Sequence, residues 1–207
     1  SCITATVSLF GNTPTGRCLL DATYLEAQSG PLARLGYASL FRRPFMIVVV
    51  YGVSGSGKTT VGRLLAEQLN WLFLDADDFH PAANIDKLRS GTPLTDADRW
   101  PWLSVLAQKV AVLQAQDRSA VLACSALKQT YRTELGINES TVRSVLLSGS
   151  LEVIQGRLAQ RQHAFMATSL LQSQLATLQP SSASLIVDIA ESPEKICQQI
   201  VDDLGLG

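Results

Sequence analysis

The chain has 207 residues, 46% of them hydrophobic and 17% charged, with a formal net charge of −1. That length and apolar content suit one well-buried domain with a short extension, while the balanced charge leaves no electrostatic footprint for nucleic acid or an anionic membrane surface. No apolar run approaches the roughly 18 residues a bilayer span needs, and four cysteines, Cys2, Cys18, Cys124 and Cys197, lack metal-ligand spacing, as expected of free thiols in a reducing, cytoplasmic setting.

Residues 1–45 carry scattered Gly, Pro, Thr and Ser with no sustained helical or alternating period. They lack the basic start and continuous apolar centre of a secretory signal, and Asp21 and Glu26 are out of place in an organellar transit peptide. The expectation is a poorly ordered or non-native N-terminal extension, with Met46 as a native start and the functional domain over 46–207.

From Met46 the chain alternates strand-like and helix-like segments. The β-branched run 47–51 suits a buried central strand, and 58–70 reads as a helix with Val61, Leu64, Leu65 and Leu69 on its apolar side. A second strand, 71–74, ends in the cluster Asp75-Ala76-Asp77-Asp78. A short helix, 81–90, is closed by Gly91, and a longer one starts after Thr95, an N-cap with acids in the first turn, and runs to about 116. Then come a third strand at 120–124, a helix at 126–135, a fourth strand at 142–147, a helix at 151–160, an Arg-rich turn and a helix at 169–178. A fifth strand at 184–189 and a helix at 192–204, with Pro193 in its first turn, close the chain. Strands recurring with helices between them imply an α/β architecture of three layers, a five-stranded parallel sheet with helices on both faces. Ligands of such sheets sit at the carboxyl ends of the strands, where the segments after 51 and 74 both fall.

The segment after the first strand carries the strongest motif. Gly52-Val53-Ser54-Gly55-Ser56-Gly57-Lys58-Thr59 fits G-x-x-x-x-G-K-[ST] without a gap. Glycines let the backbone curl so that its N–H groups point inward at phosphate oxygens, and the following helix adds the positive end of its dipole. The run Gly52, Val53, Ser54, Gly55, Ser56, Gly57, Lys58, Thr59 and Thr60 is therefore an expected ATP cradle, with Lys58 reaching the β and γ phosphates and the Thr59 hydroxyl on Mg²⁺.

Four further stretches carry a family resemblance: Asp75-Ala76-Asp77-Asp78-Phe79-His80-Pro81; Gly91-Thr92-Pro93-Leu94-Thr95-Asp96-Ala97-Asp98-Arg99-Trp100-Pro101-Trp102-Leu103; Ala123-Cys124-Ser125-Ala126-Leu127-Lys128; and Leu171-Gln172-Ser173-Gln174-Leu175-Ala176-Thr177-Leu178. With the glycine-rich loop they resemble the gluconate kinase family over about residues 46–205. The resemblance implies a P-loop fold of nucleoside-monophosphate-kinase type, transfer of the ATP γ-phosphoryl group to the 6-hydroxyl of D-gluconate, and, at family level, a homodimer. Another small-molecule kinase of this fold, of shikimate or adenylylsulfate type, is the runner-up, and a non-catalytic ATP-binding module the third reading.

Asp75 and Asp77 lie two apart at a strand end, where alternation points them to opposite faces unless the chain has already turned. One is suited to Mg²⁺ through water and the other to the acceptor hydroxyl. Similarity to the related shikimate kinases assigns the hydroxyl-facing role to Asp77 and the metal side to Asp75, while Asp78 reads as a cap or solvated turn. His80 is a candidate for sugar hydroxyls or, equally, a loop histidine held by backbone. Arg99 is a candidate bidentate clamp on the substrate carboxylate, with an ion pair to Asp96 or Asp98 as its alternative, and Lys87 and Arg89 are weaker candidates for the same anion. Trp100 and Trp102 read as packing.

The third strand ends Ala123-Cys124-Ser125, without the acid many P-loop enzymes carry there. Ser125, with the backbone N–H groups of the next helix's start, and Lys128 become candidates for substrate oxygens, while Asp188 on the last strand reads as a cap or adenine-side residue. Arg157 and Arg161, four apart and so on one helix face, are candidates to close over the ATP phosphates as a lid does in related kinases. Beyond them the family's usual Gly-His-Phe-Met order is replaced by His163-Ala164-Phe165-Met166, which leaves His163 without an assigned role.

Overall fold

A computed structural model describes residues 45–159 and 168–207. Five strands, β1 (Ile47–Tyr51), β2 (Leu72–Asp75), β3 (Ala120–Cys124), β4 (Val142–Ser148) and β5 (Leu185–Asp188), form one sheet in the order β2-β3-β1-β4-β5, every neighbouring pair parallel. β1 is central because its run of Ile, Val and Tyr has no polar face to give to water, and all five of its residues are fully buried. Its alternate residues feed two cores. Val48 and Val50 pack with Val61 and Leu65 of α1 (Lys58–Leu69) and with Ile196, Ile200 and Leu204 of α7 (Pro193–Leu204). Ile47, Val49 and Tyr51 face the other layer, where Trp102, Leu103, Leu106 and Val110 of α3 (Asp96–Ala115) cover the sheet.

Between these lie α2 (Ala82–Arg89), α4 (Gln129–Glu134), α5 (Leu151–Ala159) and α6 (Thr168–Thr177). The register sets Tyr51 opposite Cys124 and Asp75 opposite Ala123, so the glycine-rich loop, the acid cluster and the segment from Ser125 leave the sheet along one edge. The strand order turns back on itself at β1, the switch point at which open α/β sheets bind ligands.

Element bounds shift by about a residue in several places, and two differences bear on the site. The second strand starts and ends one residue later than read, because the Trp71 N–H is spent on the Ala66 carbonyl as α1 closes, and Asp75 becomes the last ladder residue. The helix expected over 126–135 begins only at Gln129: Ala126 has φ 38° and Lys128 is extended, so three residues that could have opened a helix form a loop instead. The cause is a buried cation. Arg132, 1% exposed, donates through Nη1 to the carbonyls of Ala126 at 2.8 Å and Leu127 at 3.2 Å and through Nη2 to that of Gln179 at 2.6 Å, and the Gln179 N–H adds a bond to Leu127 at 2.8 Å, so the Ala126 and Leu127 carbonyls are held across the fold rather than in a helix ladder.

Candidate active site

The loop 52–57 folds onto the N-terminus of α1. Gly52 sits at φ 145°, and a Cβ there would lie 2.8 Å from the Leu147 carbonyl oxygen, a backbone atom that cannot yield; Gly57, at φ 96°, takes the N-cap position in a left-handed conformation. The Gly52 N–H donates to the Ser125 carbonyl at 3.3 Å, tying the loop to the end of β3. Lys58 Nζ donates to the Val53 carbonyl at 3.1 Å, folding its ammonium back over the loop. Arg157 on α5 donates to the carbonyls of Ser56, at 3.4 Å, and of Ile189, so its guanidinium is fixed against the same loop. Arg161 and 163–166 lie outside the described residues.

The acid cluster resolves through a turn. Immediately after Asp75 the chain enters a single 3-10 turn over Ala76–Phe79, capped by Asp75 Oδ1 accepting from the Asp77 N–H at 3.1 Å. Asp75 Oδ2 accepts from the Thr59 hydroxyl at 2.9 Å, which joins the end of β2 to the first turn of α1. Because the chain has turned, Asp77 no longer alternates with Asp75, and its carboxylate projects into the open with 82% exposure.

His80 closes that turn. Its ring stacks on Trp102 with centroids 4.2 Å apart, and Trp102 Nε1 donates to the Ala76 carbonyl at 2.8 Å, so one tryptophan of α3 supports both the histidine and the aspartate turn. Asn84, buried on α2, offers its –NH₂ to the Asp98 carbonyl at 2.9 Å and to His80 Nδ1 at 3.4 Å. An amide –NH₂ can only donate, so Nδ1 accepts and the imidazole proton resides on Nε2, 3.8 Å from Asp77 Oδ1. Burial lowers the His80 pKa, with Arg99 acting in the same direction and Asp77 against it, which keeps the ring neutral near pH 7.

The N-terminus of α3 carries a reciprocal cap, in which the Thr95 hydroxyl accepts from the Asp98 N–H at 3.3 Å and Asp98 Oδ2 accepts from the Thr95 N–H at 2.8 Å. Lys87 Nζ reaches Asp98 Oδ1 at 2.6 Å, and this bond together with the cap depresses the Asp98 pKa to about 2. One residue on, Arg99 donates to the Leu94 carbonyl at 2.5 Å and stands 3.9 Å from Asp96. Asp96 accepts from Lys128 at 2.7 and 2.8 Å and from the Tyr131 hydroxyl at 2.6 Å. Lys87 is thereby drawn into holding Asp98. Lys128 is held in the same way, yet it remains on a cavity wall.

Two cavities meet here. The first, about 120 Å³, is lined by Ser54, Lys58, Asp77, His80, Arg99, Trp102, Ser125 and Gln174 among others. The second, about 210 Å³, is lined by Asp96, Arg99, Lys128, Ser173, Gln174 and Thr177, and the two share Leu94, Arg99 and Gln174. Ser125 reaches the first cavity without a helix terminus beside it: the backbone N–H groups expected to assist it are displaced by the late start of α4, and the Gln129 N–H is taken by Gln179 at 2.8 Å. Trp100 is 40% exposed and meets Tyr131 edge to face, away from both linings. Asp188 accepts from the Ala190 N–H at 2.9 Å as a turn cap. Asn84 and Gln174 carried no role in the sequence reading: a polar residue within a short helix or an apolar run gives no signal of its own until folding shows what it faces.

Residues 47–181 match a family model described as an AAA domain. A probable gluconokinase of Xenopus tropicalis is 42% identical over 173 residues, covering 75% of this chain and 91% of the relative. The gluconokinase of Gluconobacter oxydans (strain 621H) is 40% identical over 157 residues, covering 74% and 88%. A solved gluconokinase structure from Sinorhizobium meliloti 1021 superposes with a TM-score of 0.70 at 39% identity, over 79% of this chain and 94% of that one. Identity of this order, sustained over most of both partners and accompanied by the same fold, means that the chain belongs to the gluconokinase family.

Proposed function

We propose that this protein transfers the γ-phosphoryl group of ATP to the 6-hydroxyl of D-gluconate, giving 6-phospho-D-gluconate and ADP. The observation that carries the reading is the cavity whose wall joins Ser54 and Lys58 of the phosphate cradle to Asp77, His80 and Arg99. Phosphoryl transfer passes through a loose transition state, so a kinase chiefly has to align donor and acceptor and neutralise charge. Here residues 52–60 hold the nucleotide phosphates, Lys58 moves from the Val53 carbonyl to the β and γ oxygens, and Arg157, held against the loop, adds charge, with Arg161 the second cation in the role the sequence suggests. Asp77 orients the acceptor hydroxyl and receives its proton. Neutral His80 donates Nε2–H to a sugar hydroxyl, Arg99 grips the carboxylate, and Ser125 and Lys128 bind further oxygens.

Thr59 Oγ1 and Asp75 Oδ2, 2.9 Å apart, are a hydroxyl and a carboxylate, the hard oxygen donors that Mg²⁺ accepts alongside water and phosphate. These two residues would hold the ion, which when bound neutralises charge on the phosphates. We take residues 46–207 as the kinase domain, since the family match and β1 both begin at residue 47, and 1–45 as an extension to it. A cytoplasmic setting is in keeping with the free thiols of Cys124 and Cys197.

Relatives at 40 and 42% identity bear the gluconokinase name, which favours gluconate over shikimate or adenylylsulfate as acceptor. The test is ATP consumption, coupled to ADP detection, with gluconate, gulonate, shikimate and glycerate side by side. Gluconate should be turned over well above the rest; comparable rates on all four, or none on gluconate, would overturn the assignment.

A further inference from the structure

Gln174 belongs neither to the phosphate cradle nor to the acceptor residues assigned above, yet it lines both cavities. It stands on α6, and its Oε1 accepts from the Ser54 backbone N–H at 2.7 Å, across 120 positions of sequence. A backbone N–H can only donate, so this bond decides which way round the carboxamide lies: the oxygen faces the loop, and the –NH₂, two donors with no acceptor capacity, is left as the other polar end. That –NH₂ makes no hydrogen bond among the described residues, and the side chain is only half-buried.

We propose that Gln174 is a specificity-determining residue for the acceptor, its carbonyl clamped by the glycine-rich loop so that its –NH₂ meets an oxygen of a polyhydroxy acid where the two cavities join. The inference rests on the kinase reading and names one more contact within that site. The carboxylates on the walls, Asp77 and Asp96, accept hydrogen bonds from ligand hydroxyls, whereas a ligand carboxylate or ether-like lone pair needs donors. Beside the cationic Arg99 and Lys128, Gln174 is a neutral donor placed without added charge between the acceptor site and the phosphate cradle. It also gives α6, the helix that follows 160–167, a direct hold on the loop that binds nucleotide.

Two substitutions separate this role from simple bracing. Gln174→Glu keeps an oxygen for the Ser54 N–H but replaces the donor with a carboxylate oxygen; Gln174→Met removes both ends. If the –NH₂ binds the acceptor, both variants raise KM for gluconate by about tenfold or more, as loss of a hydrogen bond to a charged or oxygen-rich ligand does, and Gln174→Glu leaves KM for ATP within about threefold. Thermal midpoints measured alongside show whether each variant is folded. A Gln174→Glu enzyme with the parent's KM for gluconate would overturn the proposal and leave Gln174 as a brace for the loop. A parent that does not phosphorylate gluconate would overturn the kinase reading and this inference with it, so the two failures are distinct.

Discussion

Asp77 gains its freedom from Asp75. The strand-final aspartate spends one oxygen on the Asp77 N–H and the other on the Thr59 hydroxyl, and the turn this forces leaves the Asp77 carboxylate in the open, lining the same cavity as Lys58. A side chain that is 82% exposed contributes little to stability. Asp77→Asn should therefore lower kcat by about 10²–10⁴-fold, the range for a lost general base, with an unchanged thermal midpoint; a variant retaining parental kcat would remove Asp77 from the chemistry. His80 behaves differently, since burial holds its folded pKa below the ordinary 6.5. Between those two values the unfolded chain binds the proton and the folded one does not, so stability rises with pH there and falls on acidification from 6.5 toward the folded pKa. Urea midpoints of the parent should drop between pH 7 and 5 more steeply than those of His80→Gln, and parallel curves would show that the ring carries no such linkage.

Among the elements, α3 does the most to organise the site. Its first turn supplies Asp96, Asp98 and Arg99 and its second supplies Trp102, with Pro101 accommodated inside the helix between them. The Thr95 cap was legible in the sequence as a threonine ahead of an acidic first turn, and the structure adds the return bond from Asp98, so that two otherwise orphaned N–H groups are satisfied. Thr95→Ala should cost ~1 kcal/mol in urea unfolding, and it should also raise KM for gluconate, because the same turn carries Arg99. α4 was the element least visible in advance. Local propensity at 126–128 favours helix, and it is Arg132, reaching back from position 132, together with the Gln179 N–H on Leu127, that withdraws the Ala126 and Leu127 carbonyls.

At the scale of the molecule, Arg132 links layers that are distant in sequence: the loop after β3, the segment after α6 through the Gln179 carbonyl, and β1 through the Tyr51 ring 4.8 Å below its guanidinium. Arg132→Met would leave the Ala126 and Gln179 carbonyls without their donor, while Leu127 keeps the Gln179 N–H at 2.8 Å, and it should destabilise the fold by about 3 kcal/mol; if the lost bonds also misplace Ser125 and Lys128, activity falls at temperatures where the variant is still folded. Cys124, fully enclosed beneath that loop, has its thiol pushed up to about 12 by burial, which makes it a packing residue without nucleophilic character. Among the described residues no helix is long and apolar enough to cross a membrane.

By itself the sequence determined whatever depends on neighbours along the chain: the buried β-branched run of β1, the glycines that curl the loop at 52–57, the cap at Thr95, and hence a parallel sheet with its ligand edge after Tyr51 and Leu74. These are properties of spacing and local conformation, and they survive being read one segment at a time. The tertiary structure alone decided which partner each polar group takes: that Asp75 gives its oxygens to Thr59 and the Asp77 N–H, that Trp102 backs His80, that Arg132 and Gln179 hold the carbonyls ahead of α4, and that Gln174 reaches Ser54. Most of those contacts exist only once packing has brought separate elements together, and no local pattern of hydrophobicity or charge encodes which partner a polar side chain will find.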